Sequence, residues 1–480
     1  MGLSKPDGRK RAAAGFVILP AALLAGACAT LPEKADLQGP VAVESLATTQ
    51  SLPSGGAEWP SDGWWQGFGD PQLTKLVEEG LTGATDLRAA EARFNRANAL
   101  AGQARGRLLP TLDAAAQAGG TQQSDNYLFP SGFAPRNWPD YGQATLSLNW
   151  DLDFWGRNRA ALAAARSDVD AAQAEAAAAR LAVSAGIAQA YADLADLHAQ
   201  RDAARDASKV RAQTLELMQG RQAQGLENSG SVARARSGLA SAEGDIAALD
   251  EAIALTQNRI AALIGAGPDR ALAITRPALA GQAPPPGLPR NLPAELIGRR
   301  PDIRAALMRV EAAASRIKQS RAAFYPNINL TGLIGLQALG IDNVFKSGSD
   351  FGTVGPAISL PIFDGGRLRG QYRAAEAEYQ IAVAQYDGAL VEALRQVADA
   401  ATSERSLATR LDRAREAEQA ASAAWTVANN RYRGGLATYL DVLAAEDALI
   451  ASRRTLASLQ ARAFALDVSL IRALGGGFRI

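Results

Sequence analysis

One histidine and one cysteine bound the chemistry open to this chain of 480 residues. A protein zinc site takes three or four ligands, mostly His and Cys, and His198 with Cys28 cannot supply them. His198 could serve a Ser-His-Asp or Cys-His mechanism only from within Tyr191-Ala-Asp-Leu-Ala-Asp-Leu-His198, an Ala-rich stretch that reads as helix interior. A packed helical histidine is the reading. No pair of carboxylates stands out for general acid–base work. With 50 basic against 49 acidic side chains there is no basic excess of the kind a nucleic-acid binder carries. The residue types therefore point away from an enzyme, a metal site, a cofactor and nucleic acid.

Cys28 takes its meaning from what precedes it. Lys5, Arg9, Lys10 and Arg11 form a positive region, and the apolar run from Ala12 to Leu24 is too short to span a bilayer as a helix, so residues 1–27 read as a secretion signal. The run ends Leu24-Ala25-Gly26-Ala27-Cys28, which resembles a bacterial lipoprotein cleavage box, with Ala25 where that family prefers Leu. The resemblance implies a diacylglyceryl group on the Cys28 sulfur and an acyl chain on its amine. Several acyl chains anchor a protein stably where one does not. In such lipoproteins Ala29, in place of Asp, would favour sorting to the outer membrane of a Gram-negative bacterium. An exported chain without a second cysteine cannot close an internal disulfide, so packing or assembly must stabilise it.

The elements around these residues come as a repeat. Asp86-Leu-Arg-Ala-Ala90 recurs as Asp302-Ile-Arg-Ala-Ala306, and Gln103-Ala-Arg-Gly-Arg-Leu-Leu-Pro110 as Gln319-Ser-Arg-Ala-Ala-Phe-Tyr-Pro326. Leu146-Ser-Leu148 matches Ile358-Ser-Leu360, Gly156-Arg157 matches Gly366-Arg367, Gly225-Leu226 matches Gly435-Leu436, and Gly265 matches Gly475. The order is the same in both copies, so the chain is a duplicated unit of roughly two hundred residues. Its expected divisions are a lipidated N-terminal and equatorial segment over 28–75, a first repeat over 76–276, a Pro/Gly-rich linker over 277–293 and a second repeat over 294–480.

Each copy changes period. From Gln143 to Phe154 polar and apolar residues alternate strictly, which predicts a β-strand. Thr111-Leu-Asp-Ala-Ala-Ala-Gln and Asn327-Ile-Asn-Leu-Thr open the two copies as further strands, and Val354, Ile358, Leu360 and Ile362 make the fourth, with Pro361 expected to disturb one ladder bond. Two soluble hairpins with one face on a core would show such alternation. The length of the Gln143–Phe154 segment and the girdle of Trp150, Phe154 and Trp155 at its end favour membrane-spanning strands. Four strands cannot close a barrel, and an open edge in lipid leaves backbone groups unpaired at several kcal/mol each, so membrane-spanning strands require the chain to oligomerise.

After each strand pair the period turns helical. Asn158 to about Arg221, and Arg367 to about Arg433, contain no proline and few glycines, and at 1.5 Å per residue each would run about 90 to 100 Å. Tyr372, Tyr379 and Tyr386 fall a heptad apart, continued by Leu390, Leu394, Val397 and Ala401, while Leu162, Val169, Ala176 and Val183 form the smaller stripe of the first copy. Heptads call for coiled-coil packing, and alanine, which fills more than a fifth of all positions while aromatics fill 6%, permits close helix approach. Gly225 and Gly435 suit the left-handed position that ends a helix, and Asn228 and Thr438 the N-cap of a returning one. Each copy should therefore carry a helical hairpin whose tip lies far from its strands.

These features, with Asp62-Gly-Trp64-Trp65-Gln-Gly-Phe68-Gly-Asp70-Pro71-Gln-Leu73, Leu292-Pro-Ala-Glu-Leu-Ile-Gly-Arg299-Arg300-Pro301-Asp302-Ile303, Phe363-Asp-Gly-Gly-Arg367 and Leu474-Gly-Gly-Gly477, resemble the TolC/OprM-type (NodT-like) outer-membrane efflux lipoproteins over nearly the whole mature chain. The resemblance implies an α+β membrane protein: a homotrimer with one 12-stranded β-barrel, four strands per chain, continued by a periplasmic α-helical barrel. It implies a passive exit duct, a periplasmic adaptor and an inner-membrane resistance–nodulation–division pump as partners, and export of drugs or other small toxic compounds. It places Asp441 at an acidic ring and Tyr432 at a contact that closes the periplasmic aperture, with Gly225, Leu226, Gly435 and Leu436 at the adaptor-facing tips. Three carboxylates in a narrow pore would favour cations. Thr438-x-x-Asp441 also fits a capping box, and copy one has Ser231 at the matching position. A structural periplasmic coiled-coil lipoprotein would leave the period-two segments unexplained; a duct for type I protein secretion shares the fold.

Overall fold

The structure is a computed structural model that describes residues 31–33, 35–48, 50–52, 56–122, 124, 137–278, 288–289 and 292–479. Cys28, the signal segment and most of the Pro-rich linker lie outside the described residues.

The duplication is visible in the element lengths. Helix α1 (Pro71–Gly83) leads into α2 (Thr85–Gly106), strands β1 (Thr111–Gly120) and β2 (Asp140–Asp151), the 67-residue α3 (Arg157–Ala223) and the 35-residue α4 (Ser229–Leu263). The second half repeats this as α5 (Leu292–Arg299), α6 (Pro301–Ala322), β3 (Asn327–Leu339), β4 (Asp350–Ser359), α7 (Arg367–Arg433, again 67 residues) and α8 (Tyr439–Ala473, again 35). At about 1.5 Å per residue, α3 and α7 are each about 100 Å long. Two compact units arise, each drawing on both halves: residues 95–171 with 307–385, and residues 40–94 with 172–306 and 386–480.

In the first unit the strands form one antiparallel sheet in the order β1-β2-β3-β4. Its register sets side chains in transverse rows: Leu112, Leu148, Gly332 and Val354 in one, Ala114, Leu146, Ile334 and Gly352 in another, Trp150, Leu330 and Pro356 in a third. The intervening rows hold Thr111, Asn149, Thr331 and Gly355, then Asp113, Ser147, Leu333 and Thr353, then Gln117, Gln143 and Gln337. Because successive residues face opposite sides of a sheet, one face is apolar and the other mainly polar. Strands β1 and β4 are the open edges.

Two strand ends differ from the sequence reading. The alternation through Phe154 outlasts the ladder, which stops at Asp151, because the last acids are used to turn the chain: Asp151 Oδ1 accepts from the Asp153 N–H at 3.0 Å, and the Asp153 carboxylate accepts from the Asn158 and Arg159 N–H groups at 2.9 Å each, capping α3. Likewise β4 ends at Ser359, so Leu360, Pro361 and Ile362 lie beyond it and Pro361 disturbs no ladder bond. Within β4, the last strand of the chain's sheet, the proline is Pro356, which lies opposite Leu330 of β3.

The core of the second unit gathers Trp64, Trp65, Leu73, Leu76, Ile187, Tyr191, Leu194, Ile260 and Phe464. Asp70 organises its entrance. Its buried carboxylate accepts from the Gln72 and Leu73 N–H groups at the start of α1, from the Tyr191 hydroxyl at 2.7 Å and from the Ala278 N–H at 3.0 Å. The matched Gly265 and Gly475 end α4 and α8 with φ of +77° and +93°. A Cβ there would lie 2.3 Å from the Gly83 carbonyl oxygen in one copy and 2.0 Å from that of Arg299 in the other. The heptad stripe of α7 is also as expected, with Tyr372, Tyr386, Leu390, Val397 and Ala401 buried and Tyr379 half-buried.

His198 is buried in α3, and neither ring nitrogen has a hydrogen-bond partner among the described residues. Burial, with Arg201 and Arg276 nearby, holds its pKa below the usual value, so it is neutral and acts as a packing residue.

Candidate channel aperture

Both helical hairpins close in the same way. Gly225 and Gly435 sit at φ of +73° and +72°, and Leu226 and Leu436 return their N–H groups to the Arg221 and Arg431 carbonyls at 2.9 and 2.8 Å. This is the Schellman closure that a glycine permits at the helix end. It leaves both leucines on the tips, 60% and 72% exposed. The Asn228 side chain then caps α4 by accepting from the Ser231 N–H at 3.0 Å. At α8, Asp441 Oδ2 accepts from the Thr438 N–H and from its hydroxyl, both at 2.8 Å. Those two bonds, the hydroxyl first, hold the Asp441 carboxyl below its usual pKa, so it is ionised at neutral pH.

Tyr432 binds the two hairpins to each other. Only 2% exposed, it packs with Met218, Val232, Ala235, Tyr439 and Val442, a cluster drawn from α3, α4, α7 and α8. Its hydroxyl donates to Glu227 Oε2 at 2.8 Å and lies 3.2 Å from Met218 Sδ, while the Arg221 guanidinium lies 4.6 Å from its ring centroid. Burial and then the Glu227 carboxylate push the Tyr432 hydroxyl up to about 12. The Asn228 N–H and then the Tyr432 hydroxyl hold Glu227 down, so the pair is a neutral donor on an ionised acceptor, the stronger kind of hydrogen bond.

About two turns back along α3 from Arg221, a second tie spans the hairpins. The Thr214 hydroxyl donates to the buried Glu446 carboxylate at 2.9 Å, with Arg211 at 3.8 Å from Glu446 and 2.8 Å from Asp447. Burial raises the Glu446 pKa, partly offset by Thr214 and Arg211.

The aperture and tip residues singled out from sequence thus fall at or beside the hairpin tips, but Tyr432 and Asp441 bond to different partners, Glu227 and Thr438. Glu227, Arg221, Met218, Thr214 and Glu446 were not singled out. A signal for Glu227 lay in the repeat: in the alignment that pairs Gly225 with Gly435, Glu227 faces Ala437 and Tyr432 faces Gln222, so the hydroxyl and its acceptor each occur in one copy only.

The sequence model of the outer membrane efflux protein family matches twice, over residues 76–266 and 292–476. The chain belongs to the outer membrane efflux protein family. It is 34% identical to the fusaric acid resistance protein FusA of Burkholderia cepacia over 370 residues, 75% of this chain and 69% of that one. It is 29% identical to the multidrug resistance outer membrane protein MdtP of Escherichia coli K12 over 474 residues, 96% of each chain. Among solved structures, the outer membrane protein VceC of Vibrio cholerae superposes with a TM-score of 0.83 at 47% identity, covering 88% of this chain and all of that one. The outer-membrane channel OprN superposes with a TM-score of 0.81 at 28% identity, covering 94% and 99%.

The efflux channel therefore resides in the outer membrane and acts as an exit duct. Its sheet is built for that place. A lipid-facing surface must be apolar and a water-filled lumen polar, and the in-register rows supply one face of each kind. At the end of the sheet from which the long helices leave, Trp155 stacks on Tyr325 with ring centroids 4.7 Å apart, and its indole N–H donates to the Pro326 carbonyl at 2.8 Å.

Proposed function

We propose that three copies of this chain pair β4 of one with β1 of the next to close a 12-stranded barrel, anchored by lipid on Cys28, and that the duct exports small organic toxins. The observation that carries this reading is a four-stranded sheet with one apolar and one polar face and two open edges, an arrangement lipid tolerates only when closed. The names of the relatives, a fusaric acid resistance protein and multidrug resistance outer membrane proteins, support the substrate class. The channel needs no cofactor and performs no bond chemistry. Energy comes from an inner-membrane resistance–nodulation–division pump, reached through a periplasmic adaptor that grips the tips at Gly225, Leu226, Gly435 and Leu436, where exposed leucines offer apolar contacts. The aperture is held shut by Tyr432 on Glu227, and Asp441 serves both as the cap of α8 and as one carboxylate of an acidic ring.

Deleting the gene and measuring susceptibility to fusaric acid, other antibiotics, bile salts and metal ions tests the reading. Organic compounds should become more toxic and the wild-type gene should restore resistance. Unchanged susceptibility to every organic compound, with the purified protein trimeric, would leave the architecture and remove the proposed cargo.

A further inference from the structure

A basic, aromatic-walled pocket lies at the junction of sheet and helices, between the start of α3 and the end of α6. It has a volume of about 570 Å³, and Lys318, Arg321, Arg159, Trp155 and Tyr325 line it over a floor of small residues. No carboxylate lines it. Lys318 and Arg321 are exposed and make no ion pair or hydrogen bond among the described residues, while Arg159 is steadied by Asp153, to which its Nε donates at 3.3 Å.

Its side of the wall follows from helix geometry. Arg316, Gln319 and Ser320 of α6 line a larger adjoining pocket, which shares Trp155, Ala322 and Tyr325 with the basic one and continues into Thr111, Asn149, Asp151, Asn327 and Ser359 on the polar rows of the sheet. At about 100° per residue, Lys318 and Arg321 project from the opposite side of the helix, and the Trp155–Tyr325 stack, which borders both pockets, is the partition between them. The basic pocket therefore opens on the side that continues the apolar, lipid-facing rows. It also lies beneath β2 and β3, the two inner strands, away from the edges where further copies must pair.

Position along the membrane normal is fixed as well. The pocket sits just past the end of the apolar rows, at the mouth from which the long helices leave, so it lies at headgroup level of the periplasmic leaflet. Stacked aromatics suit that boundary, and cations there attract phosphate.

The geometry points to a binding site, one per chain, for the phosphate headgroup of an anionic glycerophospholipid of the periplasmic leaflet: Lys318 and Arg321 take the phosphate, Arg159 flanks it, and the Trp155–Tyr325 stack seats the glycerol and the first acyl carbons. The site builds on the membrane placement of the sheet and fixes the barrel's depth.

Native mass spectrometry of the full-length lipidated protein, delipidated in detergent and titrated with phosphatidylglycerol, tests it. Phosphatidylglycerol should bind in preference to phosphatidylcholine, and inorganic phosphate in millimolar excess should not displace it. Lys318→Ala should weaken retention about fivefold and the Lys318→Ala/Arg321→Ala double variant roughly thirtyfold, with Lys318→Arg/Arg321→Lys retaining it. Removing two charges from the distal helix, Arg413→Ala/Arg415→Ala, should change nothing. Undiminished phosphatidylglycerol binding by the double variant, no preference over phosphatidylcholine, or displacement by free phosphate would each overturn the assignment. Loss of the oligomer in the variants alone would show a structural role and overturn it too, whereas membrane placement is read separately from outer-membrane fractionation.

Discussion

Replacing Tyr432 by phenylalanine removes one oxygen from a side chain that is otherwise fully packed, so the ring keeps its contacts with Met218, Val232 and Tyr439 and its place beside Arg221. What is lost is the 2.8 Å bond to Glu227, with the weaker 3.2 Å contact of the hydroxyl on Met218 Sδ. A hydrogen bond to a charged acceptor contributes about 1.5–3 kcal/mol net. The lower figure applies, because Glu227 is only half-buried and water can replace the hydroxyl, and the Asn228 N–H at 3.1 Å keeps its hold on the carboxylate. About 1.5 kcal/mol per chain is roughly a twelvefold shift towards the open tip, and three such contacts in a trimer sum to about 4.5 kcal/mol if they act independently. In planar bilayers, Tyr432→Phe should raise the open fraction of single channels, and Glu227→Gln should do so less, since a neutral amide oxygen still accepts the bond. The reasoning fails if Tyr432→Phe gates as the wild type does while the trimer is intact, because the packing of the ring is unaltered.

Two further outcomes follow from buried carboxylates. Asp467, 9% exposed on α8, is pushed up to about 6 from its ordinary 3.8 by burial, and Glu404 on α7 is pushed up to about 7 by burial and then by Asp467. The folded pKa is raised, so the stability these groups contribute is full in acid and is lost as pH rises through about 6 and 7. Two pKa units correspond to about 3 kcal/mol, so Asp467→Asn should raise the thermal unfolding midpoint at pH 8, leave it nearly unchanged at pH 4, and flatten the slope between; an unaltered slope would refute the assignment. Asp70→Ala strips four donors of their acceptor in a buried setting, and a loss of about 3–5 kcal/mol is expected, read as a drop in the unfolding midpoint; a change below about 1 kcal/mol would mean that water takes the carboxylate's place.

The architecture was legible because it is written in periods. A period of two over β1 to β4, heptads along α3 and α7, and glycines at 225, 265, 435 and 475 are local signals, and duplication states each one twice. The strand ends were less legible, since Asp151 and Asp153 continue the alternation of polar residues while acting as turn and cap; periodicity cannot tell a lumen-facing acid from one that accepts backbone N–H groups.

Sequence alone determined the duplicated strand-strand-helix plan, the capped glycine tips and the requirement for assembly, because each depends on neighbours in the chain or on what lipid forbids. The tertiary structure decided which residues meet. Tyr432 and Glu227 stand 205 positions apart, Thr214 and Glu446 stand 232 apart, and no local pattern relates them. The same holds for Lys318 and Arg321 beside Trp155: the charges sit on one helix and the ring before another, and they share a pocket because β2 pairs with β3 and brings the ends of α3 and α6 together.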